Sequence, residues 1–205
     1  LSQAQALLGK ILLNAGERDE FARWQQSLSE QDRLLPEIWE IEGQWYQKQG
    51  DRQSAIRCYA EAIRWDATNS TACYQLGQLL LQDGKQEAAA CLLDYAKKLQ
   101  EYEGLVKVAY GDKDLNAARK AVLLAEEAGL LWEAYGWSRA VLLLDSQLVW
   151  ASKVKQELEP RLAELKLTRV VAEKNPISGL NLPTAESMSK QRVASAASGN
   201  PKTKA

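Results

Sequence analysis

Two carboxylate pairs, Glu40/Glu42 and Glu126/Glu127, are the residues whose type and spacing come nearest to general acid–base chemistry in this chain. Adjacent and i,i+2 residues diverge around a helix, so each pair is expected on a solvated face, with no shared substrate atom. The chain has no histidine, which leaves triad chemistry to Glu, Asp, Lys or Tyr and removes the usual zinc ligand sets. Cys58, Cys73 and Cys91 are an odd number without a C-x-x-C pair, and read as buried thiols in a reduced protein. The stretch "AYGDKD" (109–114) has one glycine and no G-K-[ST], so it reads as a turn and not a phosphate loop. Asn69-Ser70-Thr71 is formally a glycosylation sequon, but its position suits a turn and helix start. No catalysis, no cofactor and no metal are expected.

The elements that carry these residues have ordinary totals. At 205 residues, 46% apolar and 26% charged, the chain can build a core without staples, and its net charge of −1 draws it to neither nucleic acid nor membrane. The charge is unevenly spread: residues 174–205 hold five Lys/Arg and one Asp/Glu, a net of +4 against −5 for the rest. No apolar run reaches the ~20 residues of a spanning helix, so no membrane insertion is expected. The N-terminus lacks a signal pattern and an initiator Met, and the chain reads as a fragment or processed form. The cytoplasm is the favoured compartment, with export open if the chain is part of a larger protein.

Gly9, Gly43 and Gly77 are spaced by 34, and so are Gly16, Gly50 and Gly84, in a chain with twelve glycines. Each period reads as two helices. Trp39, Gly43 and Tyr46 share one face at i, i+4 and i+7, Gly50 turns the chain, and Ala55, Tyr59 and Ala62 repeat the spacing on the next helix. Small Gly43, Ala55 and Ala62 let two backbones approach, and Tyr46, Tyr59 and Trp65 fill the space beside them.

With "PEIWEIEGQWYQKQGDRQSAIRCYAEAIRWDATN" (36–69), the chain resembles the tetratricopeptide repeat, carrying Trp39, Gly43, Tyr46, Gly50, Ala55, Tyr59 and Ala62 in the matching slots. It departs with Glu42 for leucine and Ala67 for proline. Residues 70–103 keep Leu76, Gly77, Gly84, Ala89 and Ala96, with Leu80 and Leu93 replacing aromatics; residues 2–35 keep Leu8, Gly9 and Gly16 but put Phe21 in an alanine slot. A degenerate pair is expected over 114–145, with Asp114 as cap and Gly129 as turn, after a connector at 104–113 that is a loop or an extra turn. A capping helix over 146–173, kinked near Pro160, should turn Leu148, Leu158, Leu162 and Leu165 inward. Residues 174–205 are too poor in large apolar side chains to repay ordering and read as a disordered tail or linker, in which Ile177, Leu180 and Leu182 could dock back on a groove. The expected fold is thus all-α, a right-handed α-solenoid of helix-turn-helix repeats.

Such a stack presents a concave groove of first helices to an extended peptide or partner helix. The family's groove positions carry over to Lys10 and Asn14; to Glu37, Glu40, Gln44, Gln47 and Lys48; and to Thr71, Tyr74, Gln75, Gln78 and Gln82. Some members clamp a terminal carboxylate, but Ala6, Glu40 and Tyr74 stand at the fifth position here, so chaperone tails are not the expected ligand. A Gln-rich, mildly acidic groove favours hydrogen bonds to peptide backbone or to a polar or basic segment. Arg119 and Lys120 would make its far end basic and orient an acidic stretch there. Of the seven tryptophans, Trp39, Trp45 and Trp65 belong to repeat packing; Trp132, Trp137 and Trp150 are core or a partner surface, core being favoured. The reading is a non-catalytic scaffold for a protein or peptide partner. The alternative is a structural or regulatory arm of a larger multidomain protein. "GLLWEAYGWSRAVLLLD" is similar to a segment of bacterial, notably planctomycete, repeat proteins that precedes an FG-GAP/UnbV-type propeller, a resemblance covering little of the chain.

Overall fold

The computed structural model describes residues 2–164, 175–182 and 184. Within them the fold is all-α. The helices are α1 (Ser2–Ala15), α2 (Arg18–Ser27), α3 (Pro36–Lys48), α4 (Arg52–Trp65), α5 (Ser70–Gln82), α6 (Gln86–Asp112), α7 (Leu115–Glu127), α8 (Leu131–Leu144) and α9 (Val149–Glu164), with one 3-10 turn at Asp32–Leu34. Two compact units result, Leu1–Ala62 with Gly179–Ala205, and Ile63–Ser178.

The hairpin turns follow from glycine. Gly50 has φ of 77°, its N–H donates to Gln47 O at 3.1 Å, and the Asp51 N–H reaches back to Tyr46 O at 2.9 Å. This paired closure satisfies the last carbonyls of a helix, and its left-handed residue costs nothing only as glycine. Gly84 closes α5 in the same way, through Leu81 and Leu80. So does Gly129 at the end of α7, through Glu126 and Ala125, which gives the last helix pair the same turn as the better preserved ones. The opposite ends are capped by side chains: Asn69 accepts from Ala72 N at 2.8 Å, and Asp114 accepts from Asn116 N and Ala117 N at 2.7 and 3.1 Å. The sequon at Asn69 is therefore a helix start.

In the first unit, a Cβ on Gly43 would stand 2.9 Å from the Tyr59 ring, and one on Gly9 would stand 2.3 Å from Trp24. Tyr59 follows its glycine by sixteen residues and Trp24 by fifteen, so α2 meets α1 one residue out of step with the later pair. Phe21 explains the shift. It is too large for the alanine slot, and it is instead fully buried and stacked on Trp45 with ring centroids 4.0 Å apart. Ala6, Leu13, Phe21, Trp24, Ile38, Ile41 and Trp45 form that unit's core.

In the second unit, Gly77 lies against Leu93, which replaces the aromatic of the preceding repeat. The stretch 104–113 is not a separate loop: α6 runs on through Gly104 and Gly111 to Asp112, and Lys113, with φ of 53°, ends it. The extension is held because Ala109 packs in one cluster with Ala117, Ala118, Val141 and Ala151, flanked by Trp137 and Trp150. Along α9, Leu158 and Leu162 are buried and Leu148 packs against that cluster, while Pro160 sits inside the helix. Leu165 and the rest of the expected capping helix to 173 lie outside the described residues, as does most of the expected tail. Asn175–Leu182 is described and folds into turns, with Ile177 and Leu182 buried.

Candidate partner-binding face

The carboxylate pairs diverge, and not as expected. Glu40 is half-buried and accepts from Gln44 Nε2 at 2.9 Å, whereas Glu42 is buried, not solvated. Its carboxylate receives Arg33 Nη1 at 2.8 Å and Gln25 Nε2 at 2.9 Å, and the Arg33 guanidinium also covers the Trp39 ring at 5.0 Å. A buried carboxylate demands such donors, so this network explains how glutamate holds a leucine slot. Glu126 is half-buried, and burial pushes its carboxyl above the usual range; Glu127 is exposed. Neither pair forms a shared acid–base site.

Cys58 and Cys73 are buried, and loss of solvation pushes both thiols up to about 12. Cys91 corrects the expectation of three buried thiols: it is exposed, because Ala89 and Leu92 turn the buried face of α6 away from it. Trp137 and Trp150 pack against the core of their unit, while Trp132 keeps about 39% of its surface exposed and meets Tyr135 edge-on.

In the first unit, α1 carries Lys10 and Asn14, both exposed, and α3 carries Glu37, Glu40, Gln44, Gln47 and Lys48. Glu37, Gln47 and Lys48 are exposed, and Gln44 is half-buried beside Glu40. The two helices are tied where their C-terminal turns meet, since Lys48 Nζ donates to Leu13 O at 3.1 Å. Gln47 accepts the buried Tyr59 hydroxyl at 2.7 Å, so a core tyrosine fixes one end of this polar strip. Burial, with Glu40 nearby, raises the Tyr59 phenol above its ordinary value.

In the second unit, Thr71, Gln75, Gln78 and Gln82 follow one another along α5 at helical spacing, with Tyr74 beside them. Thr71, Tyr74 and Gln82 are exposed; Gln75 and Gln78 are half-buried. Arg119 and Lys120 do not act as one basic patch. Arg119 lies over the Trp150 ring at 5.8 Å, while Lys120 lines a cleft of about 370 Å³ between α6 and α7 with Lys97, Lys98, Glu101, Leu123 and Glu127. Opposite charges alternate there, so this cleft is mixed and not simply basic. Sequence reading missed Lys97, Lys98 and Glu101, because they stand on a second helix of a pair and the expected groove positions fall on first helices. It also missed Arg33, whose one signal was an acidic residue in a leucine slot.

Among the described residues, no group of His, Cys, Asp and Glu side chains is placed to hold a metal ion, and no helix is long and apolar enough to cross a membrane. Residues 36–69 match the family model of the tetratricopeptide repeat. No curated protein and no solved structure matches the chain.

Proposed function

We propose that this tetratricopeptide-repeat protein is a non-catalytic scaffold whose first helices each offer a polar strip to an extended peptide. Repeats of this family generally mediate protein–protein interaction. The observation that carries the finer reading is the strip on α3, where Gln44 is held by Glu40 and Gln47 by the buried Tyr59 hydroxyl. Both amides are fixed on a rigid helix before any ligand arrives, which lowers the ordering cost of binding. An amide offers a donor and an acceptor together, the pairing that an extended peptide backbone requires. On α5, Gln78 stands 34 residues after Gln44 and is half-buried like Gln75, and Tyr74 adds an exposed ring for a ligand side chain.

A peptide array probed with the full chain, followed by titration of the peptides retained, tests this reading. Gln44→Ala and Gln78→Ala each remove about one hydrogen-bonding group, worth about 0.5–1.5 kcal/mol, so each should weaken binding roughly 2- to 10-fold. Tyr74→Ala should weaken it at least as much. Peptides bound with undiminished affinity by all three variants would place the binding surface elsewhere.

A further inference from the structure

Helix α4 is buried at every position from Ser54 to Ile63. One face is accounted for: Tyr59 meets Gly43 of α3, and Ala55 and Ala62 share its side of the helix. Arg57 points the opposite way, flanked by Ala60 and Glu61, yet these residues are only 7%, 0% and 8% exposed. Charged side chains are rarely so buried without partners, so a second element covers this face.

The described residues of this unit that lie beyond Ala62 are Gly179–Leu182 and Thr184. They come from a stretch rich in Ser, Pro, Asn and Lys, yet Leu182 is 8% exposed. The segment is entered through a built turn: Asn175 Oδ1 accepts from Ile177 N at 3.1 Å, Asn175 O accepts from Ser178 N at 2.9 Å, and Gly179 has φ of 84°. The Leu182 N–H then donates to Leu180 O at 2.8 Å. Glu61, Leu182 and Thr184 each have an interaction partner.

We propose that Gly179–Leu182 is an internal docking motif seated on the α4 face that carries Arg57, Ala60 and Glu61, with Leu182 as its anchor. The chemistry matches. A non-helical segment brings backbone carbonyls and N–H groups that need partners when buried, and Arg57 supplies donors while Glu61 supplies acceptors. Ala60 leaves room between them for a leucine side chain. The motif thereby seals the outer side of a repeat whose inner side is sealed by α3, and its release would uncover a surface of two opposite charges around an apolar centre.

The test uses the full chain and its Leu182→Asp variant, followed by amide hydrogen exchange and by maleimide labelling of a cysteine placed at Ala60 in a Cys91→Ser background. A carboxylate at position 182 should raise exchange in α4 and speed labelling at position 60 by 10-fold or more, with α1 and α3 unchanged. Leu182→Met should restore protection, and so should a synthetic peptide of residues 175–184 added to the Asp variant. Unchanged α4 exchange and labelling would overturn the proposal, and so would a rise spread equally over α1, α3 and α4, which would mean general loosening and not an uncovered face.

Discussion

Replacing Arg33 should cost this protein more than replacing the buried glutamate it serves. The Glu42 side chain is 5% exposed and its partner Arg33 is 34% exposed, with Nη1 at 2.8 Å and Nη2 at 3.4 Å from the two carboxylate oxygens. Arg33→Met keeps the apolar stem but leaves a buried carboxylate with the Gln25 amide as its neutral donor. Breaking a buried pair in this way typically costs 3–5 kcal/mol; since Arg33 is a third exposed, about 2–3 kcal/mol is expected here. Glu42→Leu restores the apolar residue of the repeat pattern. Arg33 can then turn to water and stay over Trp39, and Gln25 keeps the Tyr46 hydroxyl at 3.3 Å, so the loss should be under ~1 kcal/mol. The double variant should lie near the parent, leaving a coupling of about 2–4 kcal/mol. Urea or thermal unfolding of the four chains measures this cycle; for a chain of this size Arg33→Met should lower Tm by about 5–10 °C. Additive losses, or a larger loss for Glu42→Leu than for Arg33→Met, would refute the idea that desolvation of Glu42 sets the energy of this network.

Glycine-to-alanine changes should differ in sign by position. Gly43→Ala puts a Cβ 2.9 Å from the Tyr59 ring and should destabilise by about 1–3 kcal/mol, whereas Gly104→Ala meets open space inside α6 and should stabilise by about 0.5–1 kcal/mol. Thermal melts of the two variants check both directions. In thiol titration with a chromogenic disulfide at pH 8, Cys91 should react fast and alone. Cys58 and Cys73, raised to about 12, should stay silent up to pH 9 unless denaturant is added.

The helix pairs and their turns were legible in sequence because they rest on local requirements. A left-handed residue at Gly16, Gly50, Gly84 and Gly129 needs glycine whatever surrounds it, and a close helix approach at Gly43 and Gly77 leaves no room for a side chain. These are properties of the backbone within one period of 34 residues, so the residue type alone reports them. The strip of polar side chains on α3 was legible for the same reason, since helical spacing separates it from Ile38, Ile41 and Trp45.

What surrounds each position was not legible, because it depends on residues that only folding brings near. Glu42 looked solvated until the 3-10 turn carried Arg33 onto it, and Phe21 looked misplaced until Trp45 gave it a stacking partner. Two glycines argued for a break in α6, but tertiary packing of Ala109 with Val141 and Ala151 holds the helix past them, offsetting a propensity cost of about 1 kcal/mol each. Arg119 and Lys120, neighbours in the chain, part toward Trp150 and toward the α6 cleft because consecutive helical residues point about 100° apart. The sequence by itself determined where the chain turns and which faces must approach closely. The tertiary structure decided which charges are buried, which thiol is open and how the polar face is composed, since desolvation and pairing depend on everything that packs around a group.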